Sequence, residues 1–195
     1  GECGRVSLYG LTVKIDDLCT NETLNEVLDK NPIRCVDWVN LTRESMSSYS
    51  WQDEATNNIE LSRPLKKGEQ IDFFISHSWQ DDMVVKWGHI IQCSEAFMQA
   101  NGRYPTFWID KFCLSDGRQA REGLRVLCKS ITACDKLLIL CGPTFPRRMW
   151  CAWEIFTLFA FQSESQALER ILLITLDAKI SPEDVVDSKA LWELE

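Results

Sequence analysis

The segment Trp150-Cys-Ala-Trp-Glu154 holds the residue types and the spacing best suited to chemistry in this sequence of 195 residues. On a helix, the i and i+4 spacing places Trp150 and Glu154 on one face, one turn apart. That face pairs a flat π surface with an acid, so it is a candidate for ligand binding or catalysis. The alternative is structural: Glu154 would favour the positive start of the helix, while Trp150 and Trp153 would fill the core.

A polar loop follows an apolar stretch near the middle of the chain. It reads Ser76-His-Ser-Trp-Gln-Asp-Asp82 and places polar groups and an indole where a ligand would meet the edge of a sheet. The alternative is that Ser78, Asp81 or Asp82 satisfies free amide groups at the start of a helix. His77 has no second metal-binding residue near it in sequence, so we do not expect it to bind a metal.

A second loop reads Asp110-Lys-Phe-Cys-Leu-Ser-Asp-Gly117 and is charged at both ends. Phe112 and Leu114 lie between the charges, and the final glycine permits unusual backbone angles. Such a loop could gate a cleft or contact a partner. Equally, Asp110 could end a strand while Phe112 fills the core.

The elements that must position these residues begin at Ile71, where apolar stretches of strand length alternate with segments of helical periodicity. This alternation predicts an α/β fold with a flavodoxin-like parallel sheet and helices on both faces. Ligands on such sheets bind outside the carboxyl ends of the strands, where both loops fall. The predicted strands are Ile71–Ser76, Thr106–Asp110, Lys136–Cys141 and Arg170–Leu176, and the predicted helices are Met83–Ala100, Arg121–Ala133 and Trp150–Gln162.

The first 66 residues differ in pattern, and we place a boundary in the connector-like segment Arg63–Glu69. Trp38 and Trp51 would be exposed in an isolated short segment, so residues 1–66 are expected to pack on the main domain as an N-terminal extension. The main domain then covers residues 70–195. The elements predicted upstream are a strand at Val6–Ile15, a short helix at Glu22–Leu28 and an irregular stretch at Ser45–Asn58.

Composition and charge exclude several classes of protein. A net charge of −8 and a pI near 4.9 provide no basic surface for nucleic acid. No apolar run reaches the roughly 18 residues of a membrane span, and no signal-peptide pattern occurs. Nine cysteines without a Cys-x-x-Cys pair indicate reduced thiols and no zinc site. We therefore expect a cytoplasmic protein that uses no metal.

Three segments resemble motifs of the Toll/interleukin-1 receptor (TIR) domain family, in matching order and spacing. Asp72-Phe-Phe-Ile-Ser-His-Ser78 is similar to the opening strand of that family. Phe107-Trp-Ile-Asp-Lys-Phe-Cys-Leu-Ser-Asp-Gly117 is similar to its second strand and BB loop. Trp150-Cys-Ala-Trp-Glu154 is similar to the tryptophan, cysteine and glutamate pattern of its third helix. The resemblance covers about residues 70–176 and implies a divergent TIR-type member with the fold derived above.

Many TIR proteins cleave NAD to nicotinamide and ADP-ribose or a cyclic form, so the resemblance implies NAD as substrate and no metal. It implies that Glu154 is the catalytic carboxylate, which would stabilise positive charge on the ribose, and that Trp150 stacks on a ring of the ligand. The other residues implied in ligand contact are Ser76, His77, Ser78, Trp79, Asp110 and Phe112. The BB loop would open the cleft and touch a neighbouring subunit through Lys111, Leu114, Asp116 and Gly117.

The function implied by this resemblance is an NAD glycohydrolase in an immune or stress signalling protein, activated by self-association. Its expected partners are other TIR domains, including further copies of the same chain. The first alternative is a non-catalytic adaptor that binds other TIR domains through the BB loop, in which Glu154 would be dispensable. A third possibility is a nucleotide-sensing or nucleoside-processing domain, which ligand-dependent stability would reveal.

Overall fold

The computed structural model describes residues 5–8, 11–14, 32–47, 58–114 and 120–176. The predicted helix Glu22–Leu28, Trp51, and the BB-loop residues Asp116 and Gly117 lie outside the described residues. Near the start of the chain, β1 (Arg5–Leu8) and β2 (Leu11–Lys14) pair antiparallel. The alternating pattern that predicts one strand over Val6–Ile15 therefore belongs to two short strands.

A six-stranded sheet forms the centre of the described structure, in the order β4-β3-β6-β5-β7-β8. The pairs β6-β5, β5-β7 and β7-β8 are parallel. Together with the helices that alternate with these strands, this arrangement confirms the predicted α/β, flavodoxin-like fold. The strands are β3 (Arg34–Asp37), β4 (Arg63–Pro64), β5 (Ile71–His77), β6 (Thr106–Trp108), β7 (Cys134–Cys141) and β8 (Ile171–Thr175).

The helices longer than two turns lie close to the positions predicted from periodicity. Asp82 accepts hydrogen bonds from the amides of Val84 and Val85 at 2.7 and 3.2 Å, which starts α2, and Gly102, with a φ of 71°, ends it. In the described part of the chain, no helix is both long and apolar enough to cross a membrane. The helices are α1 (Arg43–Ser47), α2 (Met83–Asn101), α3 (Asp110–Cys113), α4 (Ala120–Ala133), α5 (Met149–Ala160) and α6 (Glu164–Arg170).

Two elements differ from the sequence-based prediction. The strand predicted to continue to Asp110 ends at Trp108, and Asp110 instead lies in the first turn of α3, where a carboxylate suits the positive helix start. Helix α6 is absent from the prediction. It begins with a reciprocal capping box between Ser163 and Gln166, which hydrophobic periodicity does not detect.

The two strands at one edge of the sheet come from the upstream part of the chain. Strand β3 pairs antiparallel with β6, and β4 pairs antiparallel with β3. Arg63 in β4 forms ion pairs with Asp37 at 2.7 Å and with Glu69 at 2.6 Å. Arg63 and Pro64, assigned to a connector from sequence, thus belong to the sheet. The sheet continues across the boundary that we predicted between the extension and the main domain.

The upstream segment also packs on α2 through aromatic rings. Trp38 stacks on Trp87 with ring centroids 5.5 Å apart and on Tyr104 at 6.0 Å. Because Trp38 directly follows β3, its position depends on the antiparallel pairing of that strand.

The hydrophobic core is centred on β5, whose residues are all buried. Successive side chains of a strand point to opposite faces of a sheet. Phe73 meets Phe97 of α2 edge-on at 5.5 Å, while Phe74 stacks on Trp108 at 4.2 Å. Burial on both faces explains why this strand is a continuous apolar run rather than an alternating one.

Candidate functional site

The carboxyl ends of β5 and β7 meet at a topological switch point. Strand β5 leads through α2 to β6 on one side, whereas β7 leads through α5 and α6 to β8 on the other side. The loop after β5 and the loop after β7 therefore diverge. In open α/β sheets, ligand crevices form at this position.

Glu154 lies at this switch point because α5 starts directly after the loop that follows β7. Its side chain is almost wholly buried, at 2% exposed, and accepts a hydrogen bond from the Ser76 hydroxyl at the end of β5. Glu154 is the single charged residue of α5. Burial raises the pKa of Glu154 well above its ordinary value of 4.5; Asp110 raises it further, while Ser76 and Trp150 lower it.

The raised pKa keeps the Glu154 carboxyl group neutral over a wider pH range than an exposed glutamate would have. Sequence places Glu154 beside a cleft, whereas the structure encloses its carboxyl group behind Ser76. A buried neutral acid ionises when a cation approaches, because the new ion pair offsets the lost hydration of the carboxylate. The arrangement is suited to a ligand that carries or develops positive charge.

Trp150 lies one turn before Glu154 on α5 and is half-buried. Its indole Nε1 is buried and has no hydrogen-bond partner among the described residues. Between Trp150 and Glu154, Cys151 places its Sγ 3.5 Å from the carbonyl oxygen of His77. Burial raises the pKa of Cys151 to about 12, so its thiol is a poor nucleophile.

The loops after β5 and β7 are joined by side chains. The Thr144 hydroxyl lies 2.7 Å from both Asp81 Oδ1 and Ser78 Oγ, and the Thr144 amide donates to Asp81 Oδ1 at 3.0 Å. Gly142 provides the room for this link, because a Cβ at that position would lie 2.4 Å from Asp81 Cγ. Ser78, a predicted ligand contact, is thus engaged in holding the two loops together.

His77 and Trp79 pack against each other beside the switch point. Their rings meet edge to face with centroids 4.3 Å apart, and His77 is buried. Burial lowers the pKa of His77 to about 3, and the nearby cations Lys86, Arg148 and Lys111 act in the same direction. The imidazole is therefore neutral at physiological pH. Its Nε2 has no hydrogen-bond partner within the described ranges.

Asp110 and Lys111 complete this side of the site from the start of α3. The Trp79 indole donates a hydrogen bond to Asp110 Oδ2 at 3.3 Å, and Lys111 Nζ lies 5.8 Å from the centroid of the Trp79 ring. Burial raises the pKa of Asp110, and it lowers the pKa of Lys111 to about 8. Lys111 also donates to the carbonyl oxygen of Ser45, so the upstream segment reaches this part of the site.

Two further residues predicted in the second loop are Phe112 and Leu114. Phe112 is fully buried, and its carbonyl oxygen accepts a hydrogen bond from Ser62 at 2.6 Å, so its ring fills the core as the structural alternative expects. Leu114 is half-buried.

Lys86 is one of two site residues that sequence reasoning missed. It lies on the inner face of α2 with Ile90, one turn further along, and both are completely buried. A charged residue at a helical position shared with core residues is the signal that could have revealed it. Arg148, directly before α5, was missed as well.

The chain matches no model of a known protein family and no curated protein with which it was compared.

Within the described ranges, no cluster of three or more histidine, cysteine or acidic side chains is arranged to hold a metal ion.

Proposed function

We propose that this protein is a TIR-type NAD glycohydrolase, which cleaves NAD to nicotinamide and ADP-ribose or a cyclic form in an immune or stress signalling pathway. The observation that carries the proposal is the buried carboxyl group of Glu154, which accepts a hydrogen bond from Ser76 at the switch point. A buried acid at the place where such sheets bind nucleotides supports a ligand that carries positive charge.

The reaction fits the chemistry of this carboxyl group. Breaking the bond between ribose C1′ and the nicotinamide nitrogen sends the electron pair to nicotinamide and leaves positive charge on the ribose. The pyridinium of NAD is itself a cation, so its arrival favours ionisation of Glu154, and the carboxylate then stabilises the charge that moves to the sugar. Water adds to C1′ and loses a proton to give ADP-ribose.

Self-association as the trigger is supported by the enclosed position of Glu154. A closed site needs a movement of the loops or of α5 before a dinucleotide enters. The outer face of α5 carries Met149 and Phe156, each 58% exposed, next to the exposed Phe161. Contact with another TIR domain through this face would move the helix that bears Glu154.

The direct test measures nicotinamide release from NAD at high protein concentration. Glu154→Gln keeps the size and polarity of the side chain but cannot ionise, and it is expected to lower kcat by about 100-fold or more. Glu164→Gln, which changes an exposed acid on the neighbouring helix, is the matched control. Equal release from the wild type and Glu154→Gln would show that this carboxyl group is not catalytic.

A non-catalytic adaptor is the second candidate, and the exposed apolar face of α5 favours it. Large apolar side chains on a surface helix are a mark of protein contact. In an adaptor, Phe156→Asp would abolish self-association measured by light scattering, Glu154→Gln would leave it intact, and no nicotinamide would be detected at any protein concentration.

A further inference from the structure

The ammonium group of Lys86 is completely buried and makes two contacts at the carboxyl end of β5. Lys86 Nζ donates to the carbonyl oxygen of Ser78 at 2.7 Å and lies 3.4 Å from Nδ1 of His77. An ammonium group has hydrogen-bond donors and no acceptor, so His77 Nδ1 must be the acceptor in this contact. The single proton of the neutral imidazole then lies on Nε2.

We propose that Lys86 is a positioning residue that holds the proton of His77 on Nε2, so that the imidazole donates a hydrogen bond to a phosphate oxygen of the substrate. The inference rests on the proposed function, because it assigns a further binding contact to the same site.

The surroundings of His77 support an anionic acceptor. His77 Nε2 is buried and lacks a partner among the described residues, and a buried N–H without an acceptor is rare in folded proteins. Lys111 Nζ lies 5.8 Å from the centroid of the Trp79 ring, which itself packs edge to face on His77 at 4.3 Å. The positive charges of Arg148 and Lys111 also lower the pKa of His77. Two cations beside a neutral N–H donor suit a phosphate oxygen better than a neutral carbonyl oxygen.

The charge of Lys86 is maintained by the acids around it. Burial lowers the pKa of Lys86 to about 8, while Asp81, Asp82 and Asp110 oppose the shift. Near neutral pH most of the population is therefore the ammonium form. His77, with a pKa lowered to about 3 by burial first and by its cationic neighbours next, stays neutral over the same range.

The first experiment is nitrogen-15 NMR of histidine-labelled protein. The chain has two histidines, so the His89→Gln variant assigns the His77 signals. We expect the wild type at pH 6 to 7 to show a protonated Nε2 and an unprotonated Nδ1 in His77. A proton on Nδ1, or a charged ring, would overturn the inference, and this measurement needs no change at Lys86.

Variants at Lys86 test the positioning role. Lys86→Met is expected to mix the two tautomers of His77 and to lower kcat/KM for NAD roughly 10-fold, mainly through KM. Lys86→Arg keeps a donor and should retain more of the Nε2 form. Unchanged His77 shifts in a folded Lys86→Met protein would contradict the inference.

Ligand titration separates this inference from the proposed function. ADP-ribose, which carries the phosphates, should shift the His77 Nε2 signal, whereas nicotinamide alone should not. ADP-ribose that leaves this signal unmoved would overturn the phosphate contact, even in an active enzyme. The expected tautomer and ADP-ribose shift, found in a protein that never releases nicotinamide, would support the binding contact and contradict catalysis.

Discussion

Of the contacts in the site, the hydrogen bond between Ser76 and Glu154 has the largest effect on a single side chain, which is Glu154. A carboxyl group enclosed at 2% exposure loses most of its hydration, and one hydroxyl donor does not replace it. This imbalance between lost hydration and gained hydrogen bonding raises the pKa of Glu154. Because ionising a carboxyl group in this buried position costs hydration, its ionisation is a candidate for function.

The stability of the Glu154→Gln variant tests this imbalance. The pKa of Glu154 is higher in the folded protein than in the unfolded chain, so its protonated form contributes fully to stability below about pH 4.5. This contribution is lost as the pH rises through the folded pKa. Glutamine cannot ionise, so the variant should exceed the wild type in Tm by an amount that grows with pH. Thermal unfolding from pH 4 to 8 measures the difference, with Glu164→Gln as control. A difference independent of pH would contradict a raised pKa.

If the proposed cleavage of NAD occurs, its pH dependence provides a second test of the same group. If the carboxylate form is needed, kcat/KM must rise with pH as Glu154 loses its proton in the free enzyme, and it must rise at a higher pH than an exposed glutamate would give. Nicotinamide release at low NAD concentration measures this profile. Ser76→Ala removes a donor that lowers the pKa, so it should shift the profile upward. A shift downward would exclude the hydrogen bond seen here.

Among the elements, the loops after β5 and β7 depend on one close approach of backbone to side chain. Gly142→Ala would place Cβ 2.4 Å from Asp81 Cγ and disturb the link to Thr144. Such overpacking costs about 1–3 kcal/mol of unfolding free energy. Asp81→Ala removes the obstacle, so the cost of Gly142→Ala should fall in that background. Urea unfolding of the four proteins measures the coupling, and additive effects would argue against the contact.

Elements of the parallel sheet could be predicted because each one repeats a pattern over many residues. Strand β5 and helix α2 are long enough for their buried residues to form a recognisable apolar pattern in the sequence. Strand β4 has only two residues, and its pairing with β3 joins segments far apart in sequence. No local pattern encodes such a contact, so the sheet edge escaped prediction.

The site could be predicted in part for the same reason. Trp150 and Glu154 share a helical face, which sequence spacing determines. The contacts of Lys86 with His77 and of Thr144 with Asp81 cross between a strand, a helix and two loops. These contacts form because the loops meet at the switch point of the sheet. Which loops meet there depends on the strand order, which no local sequence pattern gives.

For the molecule as a whole, the upstream residues complete the sheet on which the site is built. Removal of β3 would leave the edge of β6 unpaired and uncover Trp87, and unpaired apolar edges favour aggregation. Lys111 and Phe112 of α3 are also hydrogen-bonded to Ser45 and Ser62 upstream. We therefore expect residues 67–195 alone to lack cooperative thermal unfolding by circular dichroism, and a cooperative transition there would contradict this dependence.

A point substitution tests the same dependence without deleting a segment. Trp38 stacks on Trp87 and Tyr104, whereas its neighbour Val39 is 84% exposed. Truncating a half-buried tryptophan removes apolar contact and leaves a cavity, so Trp38→Ala should lower the free energy of unfolding by about 2–4 kcal/mol. Val39→Ala should change it by less than about 0.5 kcal/mol. Urea unfolding compares the two, and equal effects would mean that the upstream aromatic stack does not hold the sheet edge on α2.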